Sequence, residues 1–581
     1  MKVFLPLVLV STVATAQSND DKAWAIVNKL TSDQLLGQMN QLSIGTIQKD
    51  TPNGKVLDMT KVQANAKRFA GSYFDNPSSP SGNQINWNAT QYRDMLTQLQ
   101  TAQLKTTGIP ILYGLDSIHG ASYVYNTVLF PQAINSGATF NPALVQEYGK
   151  FKGRDTKAAG VPWIFNPVLD VTRHKHWPRV YETFGEDPIV VAALGKAVVT
   201  GIQSQGVAAC FKHFLGYSDP TTGNDRDGAV LTDYDVLNHF VPSFKAAIDA
   251  GIKTGMGTYI GINGVQLAAN EKMHKGLLRH DLNFQGTMVT DWAEIGLLGP
   301  DLQADYELSM NTATYDIVMK IQVDRLKQSV QRQIKLKYDL GLFDTPVPGA
   351  DLVSLVGDKA SEDAALATAR ESLVLLKNTN NLLPLSPSAS VFLTGPSMDD
   401  IGLLCGGWTY LWQGMPGDGT YQDINKAKQL AKQHAYTVIV LGERTYAEAP
   451  GNGDAMAFPD GLIKYVQEIA STGTKIVLVL TEGRPRLLNG IADLASAVIW
   501  AGLPCEMGGQ AIAEVIVGKV NPSGKLPYVY PKSSDNTNLA TPYYFRKNDR
   551  CVKMGSNDAC PAEWQYGEGL SYTTFAYTNM Q

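Results

Sequence analysis

The chain has 581 residues, 44% of them apolar and 18% charged, with 53 Gly and 29 Pro. That is a globular composition with ample material for a core, and it excludes disorder, collagen and coiled coil. The length leaves room for three ordinary domains, or two if one is a barrel, and a net charge of −5 without a Lys/Arg block excludes a nucleic-acid footprint.

Lys2 precedes the apolar run Val3–Val13, and Ala14-Thr15-Ala16 offers small residues for cleavage, so segment 1–16 reads as a secretory signal ending at Ala16. The run is too short to span a membrane, and no other stretch of about 20 apolar residues occurs, so neither a membrane nor a nucleic acid is expected as a partner. Thr31 with Gln34 forms a capping box ahead of Leu35, Leu36 and Met39. Asn88-Ala89-Thr90 is the one clear glycosylation sequon of an exported chain.

Strands are expected at Ile109–Leu115, Val161–Val171, Val207–Phe214, Ile252–Ile260, Gly286–Asp291 and Tyr315–Met319. Several are near-continuous apolar runs, as parallel strands covered on both faces require. Their starts lie about 30–50 residues apart, enough for a crossover helix each time. Asp116, Asp170, Lys212, His213, Tyr259 and Asp291 cluster at their C-terminal ends. In a barrel those ends converge on one face, whereas in an open sheet they spread along an edge, so the pattern favours a (β/α)8-type barrel over a large doubly wound sheet.

An amphipathic helix follows, with Val323, Leu326, Val330 and Ile334 on one face, and Asp344-Thr345-Pro346-Val347-Pro348-Gly349 ends it. Beyond lie strand candidates at Val391–Pro396, Tyr436–Glu443, Lys475–Thr481 and Ala497–Ala501, alternating with helical segments such as Ile424–Gln433. The expected organisation is a signal (1–16), a TIM-like barrel domain (17–343), a linker (344–366) and an α/β sandwich domain with a largely parallel sheet (367–581).

Five cysteines leave at least one unpaired within the chain. Cys551 and Cys560 are close enough to close a small loop, while Cys210 and Cys505, in apolar surroundings, are expected as packed thiols. There is no CxxC and no HExxH, and His174 and His176 lack acidic neighbours, so they read as structural or surface residues. No metal and no other cofactor is expected.

Two carboxylates stand out. Asp291 ends a buried strand before Trp292, where an acid facing a barrel mouth is well placed as a nucleophile. Glu448 lies in a Gly-rich loop of the second domain, from which an acid could protonate a leaving group; Glu443, at the preceding strand end, is its nearest competitor. Glycoside hydrolysis needs such a pair. Spacing does not link them, and solvated surface acids remain the alternative.

The motifs YGLDSIHG (113–120), WPRVYE (177–182), KHF (212–214) and TDW (290–292), followed by ARESLVLLKN (369–378), GGWTYLWQG (406–414), NPSGKLP (521–527) and YGEGLSYTTF (566–575), occur in the order typical of glycoside hydrolase family 3. The chain resembles the two-domain, secreted form of that family over nearly its whole mature length. The resemblance implies a retaining exo-acting β-glucosidase without a cofactor, whose substrate is a β-glucoside or β-glucan oligosaccharide. It makes Asp291 the nucleophile and Glu448 the acid/base. Asp116, Arg179, Lys212 and His213 would hold the nonreducing-end sugar, Tyr259 would lie beside the nucleophile, and Trp292 and Trp412 would grip the next sugar. One departure is a short passage between Met319 and Ile321, where members of the family usually carry another helix and loop. Its implied alternatives are a β-xylosidase, another exo-glycosidase of the family, or a sugar-binding protein without catalysis. Leu215-Gly216-Tyr217-Ser218 after the KHF motif argues against a β-N-acetylglucosaminidase, and Asp116 with Trp292 argues for glucose over xylose.

Overall fold

In the computed structural model, which describes residues 17–52, 54–76, 86–298, 306–311, 323–417, 419–546 and 560–574, eight short strands form one sheet. They are β1 (Asn40–Ser43), β2 (Ser72–Phe74), β3 (Leu112–Leu115), β4 (Trp163–Ile164), β5 (Ala208–Phe211), β6 (Thr254–Met256), β7 (Thr287–Val289) and β8 (Ser309–Asn311). Neighbours run in chain order and pair in parallel, with β8 returning to β1 through Asn40↔Ser309. A bridge between Val289 and Leu308, and the Thr290 N–H donated to the Leu308 carbonyl at 3.0 Å, bring the two ends of the sheet together. The result is the barrel the sequence pattern favoured.

Alternation along the strands sorts their side chains. Leu112, Trp163, Ala208, Cys210, Met256, Val289, Leu308 and Met310 fill the barrel. Tyr113, Leu115, Ile164, Ala209, Phe211 and Met288 belong to the larger core outside it, shared with the helices Pro142–Ala158, Pro188–Gln203 and Val241–Asp249. Gly114 has to lack a side chain, because a Cβ there would lie 2.2 Å from the Phe165 ring that plugs the interior.

Three of these strands differ from expectation. β1, β2 and β8 carry no apolar run, yet Gln41 donates to the Ser72 hydroxyl at 2.9 Å and Ser72 to the Leu112 carbonyl at 2.7 Å, so polar side chains knit this part of the barrel. The last strand is Ser309–Asn311, upstream of the expected Tyr315–Met319, which lies outside the described residues along with the Met319–Ile321 junction. Within Val161–Val171 only Trp163–Ile164 is strand, since Pro167 offers no N–H to the ladder. The helix Val323–Asp339 buries Leu326, Val330 and Ile334 as its pattern required, and Thr31 and Gln34 form the capping box.

The stretch expected as a linker is not loose. Arg93 donates to the Val347 carbonyl at 3.1 Å, Ala350–Leu355 forms a short helical turn, and the helix Lys359–Ser372 begins inside it. A second sheet follows, in the order β10 (Val391–Thr394), β11 (Tyr436–Gly442), β12 (Lys475–Thr481), β13 (Ala497–Gly502), β9 (Val374–Asn378). It is parallel except for β9, which joins β13 antiparallel. Val438, Val440, Val477 and Val479 pack on one face with Leu366, Ala511 and Val515; Ile439, Leu441, Leu478 and Leu480 pack on the other with Ala427, Leu462 and Val466. Cys505 is not a packed thiol: it is bonded to Cys405, 100 residues earlier, a pairing that no short spacing reveals. Cys210 is the buried free thiol expected, while the Cys551–Cys560 pairing lies outside the described residues because Cys551 does. The signal segment 1–16 lies outside them too.

The second sheet's domain seats on the C-terminal ends of the barrel strands. Gln132 donates to the Cys405 and Gly407 carbonyls, both at 2.9 Å, Asn135 to the Ala501 carbonyl at 2.7 Å, and the Tyr410 N–H to the Ser122 carbonyl at 3.0 Å.

Candidate active site

Where the domains meet, a cavity of about 360 Å³ opens over the barrel. Nine residues expected from the sequence to carry catalysis or hold sugar line it: Asp116 just after β3, Arg179 from the loop after β4, Lys212 and His213 just after β5, Tyr259 after β6, Asp291 and Trp292 after β7, and Trp412 and Glu448 from the second domain; Asp170, also at a strand end, does not. The volume sits at the small end of ligand pockets, which span roughly 300–1,000 Å³.

Asp291 is buried, and its two oxygens differ. Oδ1 accepts the Trp292 N–H at 2.7 Å, whereas Oδ2 makes no hydrogen bond, with His213 Nε2 3.8 Å away. Burial pushes this carboxyl up to about 6; the facing Glu448 adds repulsion, and Arg179 opposes both. Beside it, burial and the same two carboxylates push the Tyr259 hydroxyl up, so it stays protonated and able to donate.

Glu448 enters from the loop after β11. Its Oε1 lies 3.2 Å from Arg179 Nη1 and its Oε2 accepts from Arg226 Nη2 at 2.9 Å. Its backbone sits at φ +56, a left-handed conformation that a glutamate holds only when its surroundings impose it. The surroundings come from the barrel: the Asp225 N–H donates to Asn452 Oδ1 at 2.7 Å, the Tyr181 hydroxyl to the Tyr446 carbonyl at 2.8 Å, and His176 Nε2 lies 3.0 Å from the Asp454 carbonyl. Glu443 does not line this cavity. Its Oε1 accepts from the Gly483 N–H at 2.6 Å and the Tyr446 hydroxyl at 2.9 Å, and Arg486 pairs with its Oε2.

The remaining polar groups are locked in place. Lys212 Nζ is 2.8 Å from Asp116 Oδ1, and Arg179 makes a fork with Glu182, Nε and Nη2 each 2.8 Å from an oxygen. His213 Nδ1 is 2.9 Å from Asp170, whose carboxyl burial pushes up to about 7; burial and the cations Arg179 and Lys212 hold the His213 ring well below its usual range and hence neutral. Trp292 and Trp412, 45% and 43% exposed, present flat faces at the rim, where sugar C–H faces can stack. The arrangement offers two carboxylates across one small cavity, with charged donors and acceptors fixed to hold hydroxyls.

Asp75, Tyr123, Arg226 and Trp408 also line the cavity and were not singled out from the sequence. Trp408 stood inside the GGWTYLWQG motif, the one available pointer. Arg226, whose guanidinium lies 4.1 Å over the Tyr259 ring, comes from a polar loop with no pattern of its own. His174 and His176 are structural: His174 Nε2 is 2.7 Å from Asn536 Oδ1, and burial holds both rings below their usual range. Among the described residues no group of three His, Cys, Asp or Glu could hold a metal, and no helix is long and apolar enough to cross a membrane.

Comparison with known proteins gives matching families and folds. The glycosyl hydrolase family 3 N terminal domain matches residues 32–334, and the glycosyl hydrolase family 3 C-terminal domain matches residues 373–572. A protein named lysosomal beta glucosidase from Dictyostelium discoideum is 35% identical, over 96% of this chain and 76% of its own. A periplasmic beta-glucosidase from Salmonella typhimurium is 25% identical, over 97% of this chain and 82% of its own. The crystal structure of a beta-glucosidase from Listeria innocua in complex with isofagomine superposes with a TM-score of 0.81 at 26% identity, covering 95% of this chain and 83% of that one.

Proposed function

The chain belongs to glycosyl hydrolase family 3, and we propose that it is a retaining exo-acting β-glucosidase, removing terminal nonreducing β-D-glucosyl residues from β-glucans or cello-oligosaccharides. The observation that carries this reading is the orphan oxygen of Asp291, Oδ2, in one sugar-sized cavity with a second carboxylate, Glu448. Asp291 Oδ2 attacks the anomeric carbon while Glu448 gives its proton to the departing oxygen, leaving a glycosyl ester on Asp291. Glu448 then takes a proton from water, the water oxygen attacks the same carbon, and Asp291 leaves with its electron pair, so two inversions restore the β configuration. Arg179, Lys212 and Asp116 hold the sugar hydroxyls, and Trp292 with Trp412 holds the sugar that leaves. In this reading 17–343 supplies the nucleophile and sugar site, 344–366 joins the domains, and 367–581 supplies the acid/base.

Incubation with a 2-fluoro glucoside carrying a good leaving group, followed by peptide mapping, is expected to label Asp291. A label on another acid would overturn the assignment. Purified protein is expected to hydrolyse an aryl β-glucoside faster than the xyloside; failure to hydrolyse either would leave the sugar-binding reading without catalysis.

The same reading includes export, with cleavage after Ala16. It is supported by the apolar run Val3–Val13 and by the Cys405–Cys505 disulfide, which belongs to an oxidising compartment. The secreted product should begin at Gln17. The same reading places a glycan on Asn88, the N-cap of the helix Ala89–Thr107 in the sequon Asn88-Ala89-Thr90, so enzymatic deglycosylation should lower the mass of the exported protein.

A further inference from the structure

The turn that carries Asp291 is held from behind by a carboxyl that the proposed reaction does not use. Glu294 is wholly buried. Its Oε2 accepts the Asp291 N–H at 2.8 Å and its Oε1 accepts the Tyr306 hydroxyl at 3.0 Å. Ala293, between the two acids, takes φ +56 and folds the chain back so that Glu294 can reach its third-nearest upstream neighbour; the Ala293 N–H is itself donated to the Met310 carbonyl at 2.9 Å. Room for the arrangement comes from Gly257, where a Cβ would stand 2.1 Å from the Tyr306 oxygen and 2.8 Å from Glu294 Oε2. Gly257 in turn donates its N–H to the Val289 carbonyl at 2.9 Å. The segments beyond β6 and β7, and the one leading into β8, therefore all close on this one side chain.

We propose that Glu294 is a positioning residue for the reaction: by joining the Asp291 N–H to the Tyr306 hydroxyl it fixes the backbone from which Asp291 Oδ2 is aimed at the anomeric carbon. The inference rests on Asp291 being the nucleophile. Among the described residues no Lys, Arg or His forms an ion pair with Glu294, and burial, reinforced by the Asp291 charge, pushes its carboxyl well above the usual carboxylate range. A neutral carboxyl suits the task. One of its oxygens accepts the Asp291 N–H and the other accepts the Tyr306 hydroxyl, while a neutral group adds no second negative charge behind the group that must attack as an anion. A glutamine keeps an oxygen for the Asp291 N–H and can donate its amide to the Tyr306 oxygen; an alanine makes neither contact and leaves the buried Asp291 N–H without an acceptor.

The test compares Glu294→Ala, Glu294→Gln and Tyr306→Phe in the full chain. Three readouts are the rate of trapping by the 2-fluoro glucoside, inhibition by glucose, and Tm. Glu294→Ala is expected to slow trapping about 10- to 100-fold while glucose inhibition shifts less than about twofold, because attack geometry and not sugar binding is lost. Glu294→Gln should recover most of that rate, and Tyr306→Phe should slow trapping by about threefold or more. A merely structural role would move glucose inhibition and Tm together with trapping. Parental trapping in Glu294→Ala overturns the proposal, as does a Gln variant as slow as Ala at unchanged Tm. If the Ala variant does not fold, the other two decide: parental trapping in Tyr306→Phe, or slow trapping in Glu294→Gln, overturns it. Mapping of the label on the unaltered protein separates the two failures. A label away from Asp291 removes the premise, whereas a label on Asp291 with parental trapping in Glu294→Ala removes only the role of Glu294.

Discussion

The two carboxylates that share the cavity are held there by different means. Asp291 stands two residues beyond β7 in a closed ring of strands, and its contacts to Trp292, Glu294 and His213 all come from the barrel itself. Glu448 stands on a loop of the other domain, in a left-handed backbone conformation, and its ion-pair partners Arg179 and Arg226 belong to the barrel. So do Asp225, Tyr181 and His176, which hold the rest of its loop. A strand end is aimed by covalent geometry and a sheet ladder, whereas a loop is aimed by whatever it docks against. The place of Asp291, the proposed nucleophile, is therefore built into one domain, whereas Glu448, the proposed acid/base, is placed only where the two domains are seated together.

The largest effect should separate the two groups chemically. Glu448→Ala is expected to lose about 10²- to 10⁴-fold on cellobiose, the range of general acid–base catalysis, yet to form the glycosyl-enzyme readily from a dinitrophenyl glucoside. Azide should then restore turnover and give β-glucosyl azide. Asp291→Gly with azide should give the α-azide instead, since the anion replaces the nucleophile on its own face. Identical azides from both variants would break the comparison.

Next in size is a group on the barrel side alone. Asp116→Ala leaves sugar hydroxyls and Lys212 without an acceptor, an expected loss of about 1.5–3 kcal/mol, or roughly 10- to 150-fold in kcat/KM, on good and poor leaving groups alike. An effect confined to poor leaving groups would move Asp116 to the departing side.

A smaller effect should come from the seam between the domains. Asn452→Ala removes the acceptor of the Asp225 N–H and should lower kcat on cellobiose about 3- to 10-fold while leaving the dinitrophenyl glucoside nearly unaffected. Equal losses on both substrates would show that the seam also aims Asp291.

The smallest is a shift in pH dependence. As the proposed nucleophile Asp291 has to be ionised, so with burial and the facing Glu448 pushing it up to about 6, kcat/KM should fall as the pH drops through that value. Glu448→Gln removes the repulsion and should move this acid limb downward on the dinitrophenyl glucoside. A limb that stays in place would attribute the rise to burial alone.

Much of this was legible before folding. Periodicity and spacing gave the alternation of strands and helices, the C-terminal strand ends gave Asp116, Lys212, His213, Tyr259 and Asp291, the Gly-rich loop of the second domain gave Glu448, and ordered motifs added Arg179, Trp292 and Trp412. β1, β2 and β8 escaped because a strand of three or four residues that mixes polar with apolar side chains is too short to show a periodic pattern, and their hydrogen-bonded partners lie in neighbouring strands far along the chain. Arg226 and Asp75 escaped because a charged residue on a loop looks alike whether it faces water or a cavity. The Cys405–Cys505 bond escaped because its ends are 100 residues apart.

The sequence by itself determined the chemistry available, since residue types at strand ends and within motifs are local facts that survive in an unfolded chain. Only the tertiary structure decided which oxygen of Asp291 is left without a partner, which of Glu443 and Glu448 reaches the cavity, and that a buried Glu294 stands behind Asp291. Those outcomes depend on close approach between strands and loops distant in sequence, and hydrogen bonds of about 3 Å are decided by packing that no local pattern encodes.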